Sequence, residues 1–388
     1  MRTDVAVLGG GPAGSTAAAF LAKSGANVVL VNREEFPRDK LCGEFLSYDA
    51  LPILDALGAL ESIDRAGAVR IESCRLVGDS GAYEVGFPHI ARGISRLTLD
   101  SSLFQAAVRA GATPMAGWTA DRIDRRGERF AISLSAGDRP DAIDASIVLG
   151  AWGRWGRIDQ QLDRPFIHDR THRYFGFKRH YSGPPLPGRI DLYSFAAGYL
   201  GASPIEGGLT NLCGLVHHER LAGMRGGWSG FAETLAGERS SLGRLFGNHT
   251  PVQAEFLSSD PVIFSAKTSV QDGIIMIGDA AGQLDPLTGN GMAMGIQSGL
   301  LAATAARDIL SGADRAETLA RYARRHRELF AKRIAWSRRV AFLLCRPQLA
   351  DAAARFVPLR APGELLLRRT RAEESEIEQL LDAWRGRG

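Results

Sequence analysis

The sequence predicts an α/β chain: a parallel-sheet domain, an antiparallel sheet inserted into it, and a run of C-terminal helices. Three observations predict this. Residues 4–32 read as strand, glycine-rich turn, helix and strand. Residues 165–264 change character: Pro165, Pro184, Pro185, Pro187 and Pro204 punctuate alternating apolar segments at 174–177, 190–195, 198–202 and 209–216, the pattern of antiparallel pairing. Residues 273–310 then return to the first style, with an apolar strand, a glycine-rich loop and a long helix.

Taken in order, the apolar run 5–8 is the first strand, and Gly9, Gly11 and Gly14 follow as G-x-G-x-x-G in GGGPAGSTAAAFLAKSGANVVLVN. Gly9 allows a tight turn, Gly11 lets backbone approach a pyrophosphate, and Gly14 lets the helix pack close to the strand. Pro12 at the helix start removes no intrahelical hydrogen bond. With Ala13 beside it, the helix N-terminus offers free N–H groups and a positive dipole end to phosphate. The β-α-β context gives the glycines this meaning, and a Rossmann-type dinucleotide-binding domain follows. Asn32 stands where a ribose-binding carboxylate is expected, and Arg33 suits a phosphate or an adenine face. The bland alternative makes both a loop start.

Pro37 then breaks the chain into a loop holding Arg38, Lys40, Cys42, Gly43 and Glu44, before a helix expected over 46–60. Loops after the strands of a doubly wound sheet line its ligand crevice, so Arg38 and Lys40 suit phosphate. Cys42 is either a packed small apolar residue or a neighbour of a cofactor ring; with no His nearby in sequence, a nucleophile is disfavoured. Strands at 69–77 and 82–87 form a hairpin leaving the first domain. Asp100 or Ser101 is expected to cap a helix ending at Arg109, with Arg96 a few residues ahead of it. Strands at 118–123, 130–134 and 144–149 follow, the last ending in GAWGRWG.

In the inserted sheet, Tyr174, Phe175, Phe177, Tyr193, Phe195 and Tyr199 fit either the wall of an apolar pocket or ordinary sheet core. Residues 228–245 form a helical insert. Tyr199, Glu206 and His217 are ligand candidates, with structural roles the stronger reading. After the returning strand, Gly278 and Asp279 precede a loop through Pro286, Gly289, Asn290 and Gly291, and a long helix starts near Met292. Two phosphate-type cradles so far apart suggest opposite ends of one extended ligand, with Asp279 on a polyol hydroxyl. Residues 313–344 are Arg-rich and helical with a rough apolar stripe, which reads as a solvated basic face rather than a lipid-binding one. The tail, 350–388, carries another helical stretch that covers the core or joins a dimer.

Composition narrows the classes. The chain has 388 residues and a formal net charge of only +4, and no dense basic run with interleaved aromatics, so nucleic acid is not expected. Cys42, Cys74, Cys213 and Cys345 are far apart, and neither a metal site nor a disulfide framework is expected. A reducing, cytoplasmic setting is the simplest expectation. No apolar stretch reaches membrane-spanning length.

Four strings carry a resemblance: GGGPAG (9–14), PRDKLCGE (37–44), SRLTLD (95–100) and GDAAGQLDPLTGNGM (278–292). In this order they resemble the FAD-dependent superfamily that joins monooxygenases of the aromatic-hydroxylase type, geranylgeranyl reductases and flavin-dependent halogenases. The resemblance implies FAD as cofactor and NADPH or NADH as transient electron donor. It places Gly9, Gly11, Pro12, Ala13 and Gly14 at the pyrophosphate, Asn32 and Arg33 at the ribose, and Arg96 at the pyrophosphate or ribityl region. Lys40, Cys42 and Gly43 join the cofactor set, Ala120 meets the adenine, and Gly278 and Asp279 hold the ribityl chain. Pro286, Gly289, Asn290, Gly291 and Met292 form the loop beside the isoalloxazine.

The departures also inform. Asn32 in place of Glu implies weaker FAD and a preparation partly free of it. The halogenase W-x-W-x-I-P string is absent, as is a candidate for its lysine, and the hydroxylase D-G motif is not plainly present. The implied partition is a discontinuous FAD-binding domain (1–75, 92–164, 265–312), a substrate domain (76–91, 165–264) and a helical region (313–388). The first expectation for function is an NAD(P)H-using monooxygenase of secondary metabolism. It hydroxylates an apolar aromatic or polyketide-type molecule through a flavin C4a-hydroperoxide. The alternative is a reductase of carbon–carbon double bonds, and a third reading is a cofactor-carrying partner protein. The catalytic side chains, and monomer against homodimer, are not assigned.

Overall fold

Strand β1 (Arg2–Leu8) begins a parallel sheet because its residues suit a strand buried on both faces: Val5, Ala6, Val7 and Leu8 are buried. In this computed structural model, residues 1–169, 173–221, 225–259, 262–264, 267–282, 286–356 and 360–386 are described. The alternating pleat sends Val5 and Val7 into one core and Ala6 and Leu8 into another.

The first core lies under helices. After β1 come α1 (Pro12–Lys23), β2 (Val28–Asn32), β3 (Phe45–Leu46), α2 (Leu51–Leu57), α3 (Leu60–Arg65), β4 (Val69–Val77), β5 (Ala82–Gly93) and α4 (Arg96–Arg109). The chain continues through β6 (Thr113–Ala116), β7 (Thr119–Arg126), β8 (Arg129–Ala136), β9 (Arg139–Gly150) and α5 (Arg157–Gln161). The first sheet runs β17-β18-β9-β1-β2-β6, with β8 on β9 and β7 on β8; here β17 is Val270–Gln271 and β18 is Ile274–Met276. Pairs β1–β2, β1–β9, β9–β18 and β2–β6 are parallel. Helix α1 packs against α4 and α9 (Gly291–Leu310) on one face, and the β7–β8 ribbon supplies Ile123, Phe130 and Ile132 to the core of the other.

The second sheet is the inserted antiparallel one. It comprises β10 (Arg173–Ser182), β11 (Arg189–Phe195), β12 (Gly198–Ile205) and β13 (Leu209–His217), extended by β4, β5 and β3 at one edge. After α6 (His218–Leu221) come α7 (Gly227–Glu238), α8 (Ser240–Gly247) and the short strands β14 (Thr250–Pro251), β15 (Leu257–Ser258) and β16 (Val262–Ile263) on β10. Four helices end the chain: α10 (Arg315–Leu344), α11 (Pro347–Phe356), α12 (Arg360–Thr370) and α13 (Glu374–Arg385). Ile377, Leu380 and Leu381 of α13 join the core around α9.

The structure corrects several local expectations. Helix α4 starts at Arg96, capped by Ser95 Oγ, which accepts from the Thr98 N–H at 3.1 Å; Asp100 and Ser101 lie inside it. Asp100 instead holds Arg96 one turn away. The helix expected over 46–60 is broken into β3, a short 3-10 turn (Tyr48–Ala50) and α2, because β3 pairs with β5. The expected hairpin strand 82–87 runs on to Gly93, with a register shift between Ile71 and Ser73. Strand β4 crosses the expected boundary at residue 75 and pairs in the second sheet along its length.

The aromatics of the inserted sheet divide by face. Phe177, Tyr193 and Phe195 are buried with Phe231, Leu235, Leu242 and Leu245 of α7 and α8, and Phe175 packs on that cluster. They are sheet core, not pocket wall. Tyr174, Leu192, Tyr199 and Leu215 point the other way and gather with Leu287, Phe264, Val340 and Ala341. That second face looks toward the loop preceding α9.

Candidate functional site

The glycine loop is built around close backbone approach. A Cβ on Gly9 would sit 2.1 Å from the Ala151 carbonyl oxygen, and one on Gly14 would sit 1.8 Å from the Gly9 oxygen. These two glycines bring strand, turn and helix together. Gly11 is different: a Cβ there would meet only Arg38 Nη2 and Arg96 Nη2, each at 3.9 Å. Only the far ends of two flexible guanidinium side chains, at contact distance, border the place a side chain would take. Gly11 is the N-cap of α1 and has no side-chain cap, and Pro12 follows it, so the first helical N–H groups face that space free.

The arginines are held in place from behind. Arg96 donates from Nε and Nη2 to the two Asp100 oxygens, both at 2.7 Å. Arg38 Nη2 lies 3.2 Å from the same carboxylate, and its Nε and Nη1 are buried without a hydrogen-bond partner. Burial, with Arg96 beside it, pulls the Arg38 guanidinium below its ordinary value against the opposing pull of Asp100. Arg38 Nε lies 3.5 Å from Glu34 Oε2; buried guanidinium donors without a hydrogen-bond partner, beside a helix N-terminus, fit a diphosphate. The residues present therefore fit FAD at this end. Arg38, which the sequence weighed only as a phosphate neutraliser, is more central than Lys40, whose ammonium turns to Glu34 at 3.2 Å.

Other residues of the expected set occupy varied positions. The buried Asn32 carboxamide oxygen accepts from the Gly10 N–H at 3.1 Å and its nitrogen donates to the Glu34 carbonyl at 2.5 Å; the side chain braces the glycine loop. Arg33 is exposed and pairs with Glu34. Ala120 sits half-buried in β7 at a register shift. Ala13 lies beneath Gly278 and Gly295, and the Gly278 N–H donates to Ser298 Oγ at 2.9 Å.

At the far end, Asp279, Gly291, Ser298 and His326 border one small cavity. Lys267 Nζ donates to the carbonyls of Asp279, at 2.8 Å, and of Arg154, which ties the GAWGRWG turn to the Gly278–Asp279 corner. Burial lowers the Lys267 ammonium to about 8. The α9 N-cap, Asn290, makes no side-chain cap. Its Nδ2 is buried and donates to the Thr370 carbonyl at 2.6 Å, while its Oδ1 is buried without a hydrogen-bond partner. Gly289, at φ +63°, presses against Phe45, where a Cβ would come within 2.7 Å of the ring. Pro286 opens the preceding turn (Pro286–Thr288) and Met292 is buried in the first turn of α9. Residues 283–285 of the recognised string lie outside the described residues.

Between these two ends lies a buried ionic group that sequence reasoning missed. Glu44, fully buried and in the left-handed region at φ +56°, accepts from the Arg96 N–H at 2.8 Å, Lys178 Nζ at 2.6 Å and His180 Nε2 at 2.7 Å. Lys178 also meets Asp39 at 2.5 Å. Burial pulls the Lys178 ammonium down, but Glu44 and Asp39 together raise it above its ordinary value. Gln253 Nε2 lies 3.1 Å from His180 Nδ1, and Gln253 Oε1 takes the His180 N–H; this orientation makes Nε2 the donor to Glu44. Lys178 and His180 share one face of β10 by the strand's period of two. The Cys42 carbonyl accepts from Asn211 Nδ2 at 2.9 Å, so the loop 39–44 is fastened across β10 and β13. Burial raises the Cys42 thiol, which is kept protonated rather than nucleophilic. Glu206, a ligand candidate in sequence, instead accepts from Ser95 and Thr98 at the start of α4.

Comparison with known proteins agrees with this geometry. Residues 2–178 match the FAD binding domain family. The chain is 25% identical to a menaquinone reductase of Mycolicibacterium smegmatis, over 100% of this chain and 96% of that protein. It is 26% identical to digeranylgeranylglycerophospholipid reductase 1 of Methanothermobacter thermautotrophicus, over 99% and 90%. The myxobacterial chondrochloren halogenase CndH shares the fold, with a TM-score of 0.80 at 21% identity over 99% of this chain and 97% of that one. Fold, site and relatives define an FAD-dependent oxidoreductase. Among the proteins that the chain resembles are menaquinone reductases, a tryptophan 2-halogenase and digeranylgeranylglycerophospholipid reductases, in keeping with the four sequence strings.

Proposed function

We propose that this protein is an FAD-dependent reductase that saturates a carbon–carbon double bond in an apolar, isoprenoid-type substrate. The observation that carries the reading is the match to two reductases along nearly the whole length of both partners. The sequence alone placed hydroxylation first; the two reductase matches along nearly the whole chain support placing saturation first here. The apolar face formed by Tyr174, Leu192, Tyr199 and Leu215 against Leu287 suits a hydrocarbon substrate.

Reduced FAD would supply the hydride. The chain's own residues bind, orient and exclude water. Arg38, Arg96 and the α1 N-terminus hold the diphosphate, and Asp279 holds the ribityl chain. Gly289–Met292 present free N–H groups at a positive helix end to the ring. Glu44, Lys178 and His180 brace the loop 39–44 against the second sheet, so that Cys42 keeps a fixed place between them. NADPH or NADH is the proposed electron donor.

The test is single-turnover reaction of the FAD-loaded, prereduced protein with a polyprenyl quinone under anaerobic and aerobic conditions. The reading predicts, after the quinone ring has been reoxidised, a product whose isoprenoid tail is heavier by two hydrogens without oxygen; a gain confined to the ring, as quinol, refutes it. A product gaining one oxygen only in air restores hydroxylation in its place.

A further inference from the structure

Two cations hold the Gly278–Asp279 corner by its backbone. The hairpin of β17 and β18 pairs Val270 with Ile275 and Gln271 with Ile274, and the Met276 N–H donates to the Ser269 carbonyl at 2.9 Å. Carried a little further, that register sets Lys267 opposite Gly278, level with the corner. Lys267 Nζ donates to the Asp279 carbonyl at 2.8 Å and to the Arg154 carbonyl, and it lies 4.2 Å from the Phe166 ring centre. The buried Arg164 donates to the next carbonyl of the corner, that of Ala280, and to that of Thr268, both at 2.8 Å. Asp159 sets Arg164 at 2.8 Å, and its other oxygen accepts from Trp152 Nε1 at 2.9 Å and the Gly156 N–H at 2.8 Å. Two successive carbonyls are thus tied through cations to the GAWGRWG turn.

The Asp279 side chain is treated differently. Among the described residues its carboxylate takes no hydrogen bond and no ion pair, and the residue borders the small cavity with Ser298 and His326. With no side-chain partner, this carboxylate is placed only through its own main chain. Lys267 makes the charge-assisted bond to that main chain, and such bonds are about twice as strong as neutral ones. Burial lowers the Lys267 ammonium to about 8; Asp279 and Asp159 oppose that pull, and Arg164 and Arg154 add to it.

We propose that Lys267 is a positioning residue for FAD: by clamping the Asp279 carbonyl it keeps the Asp279 carboxylate in place for the ribityl hydroxyls. This role rests on the ribityl contact proposed for Asp279, and not on the substrate or the reaction. The FAD diphosphate adds negative charge, which favours the charged ammonium, so binding takes up a proton where the amine is partly neutral. Affinity is therefore full below about pH 8 and falls as pH rises through that value. Carboxylates and guanidiniums ordinarily titrate well outside this range.

The experiment titrates FAD by fluorescence into the full apoprotein, from about pH 7 to about pH 9.5, with thermal melting of each apoprotein alongside. The chains are the wild type, Lys267→Met, Lys267→Arg, Asp279→Ala and the double variant Lys267→Met with Asp279→Ala. Lys267→Met should bind FAD about tenfold or more weakly. Lys267→Arg should recover most of that loss, because a guanidinium donates to the same two carbonyls and keeps its charge. In the Asp279→Ala background the Met substitution should cost less than about twofold, since Lys267 acts through Asp279. Wild-type affinity should fall several-fold above about pH 8, with no such fall in Lys267→Arg. Lys267→Gln, uncharged but able to reach one carbonyl, repeats the titration with the same expected loss should the Met variant fail to fold. Affinity of the Met or Gln variant within about twofold of wild type overturns the proposal. Equal losses in the two backgrounds, or one pH profile shared by wild type and Lys267→Arg, overturn it as well. Full affinity in Asp279→Ala alone overturns the ribityl contact, and this role with it, while the saturation assay stands or falls by itself.

Discussion

Gly11→Ala separates ligand space from packing space in the glycine loop. Gly11 has φ −77° and ψ −175°, extended values open to alanine. The new methyl would meet only Arg38 Nη2 and Arg96 Nη2 at 3.9 Å, ordinary contact. The apoprotein should therefore fold normally, because the gain from glycine's lost unfolded-state freedom, about 0.4–1 kcal/mol, is offset by alanine's poorer performance at a helix N-cap. A phosphate oxygen bonded to either guanidinium sits about 2.8 Å from its nitrogen, which puts it against the methyl. Relieving that overlap should cost about 2 kcal/mol of FAD binding, roughly a 30-fold weaker Kd. The assay is fluorescence titration of FAD into apoprotein, with thermal melting of the apoproteins alongside. FAD affinity within twofold of wild type, in a variant that melts normally, would refute the reasoning that this space is kept for the diphosphate.

Four further outcomes follow from the same structure. Gly14→Ala puts a Cβ 1.8 Å from the Gly9 oxygen and should destabilise the fold by more than about 3 kcal/mol in urea titration, independently of added FAD; a normally folded variant would contradict the packing role. Glu44→Gln removes the buried carboxylate facing the Lys178 ammonium and accepting from His180 and should cost about 3–5 kcal/mol by the same measurement, with little effect expected from the exposed Glu61→Gln. Asp279→Ala should lower FAD occupancy of the purified protein about tenfold or more, read from the flavin to protein absorbance ratio. His326 is buried and its folded-state value falls to about 4 from 6.5. The unfolded chain thus binds the extra proton first, and stability should fall by about 3 kcal/mol as pH drops from 6.5 to 4. Above 6.5 the group is neutral in both states and adds no pH dependence. Stability curves of wild type and His326→Phe should differ in slope only within that window; parallel curves throughout would exclude the residue.

What the sequence determined by itself was what depends on neighbours along the chain. The glycine triplet, Pro12 and the flanking apolar runs specify a β-α-β unit within about thirty residues, because turn geometry and helix starts are local. The corner at Gly278–Asp279 and the start of α9 were legible for the same reason, and strand alternation announced the second sheet. The α4 cap was misread at Asp100 or Ser101: Ser95 begins the helix through its local bond with the Thr98 N–H, and Glu206, 111 positions away, fastens that turn from the second sheet.

The tertiary structure decided which charges meet and which face each side chain takes. Lys178 and His180 reach Glu44 from 134 and 136 positions away, so no spacing in PRDKLCGE betrays them; their common face on β10 is the only local trace. Phe177 and Tyr199 are both strand aromatics, yet one enters the α7–α8 core and the other faces Leu287, because packing partners, not residue type, assign the two faces of a sheet. Nothing along the chain marks Arg371. It is buried with its guanidinium carbon 5.7 Å from the Phe45 ring centre, an arrangement that exists only once α12 packs on β5 and α13 packs on α9, a product of long-range apolar burial rather than of any local signal.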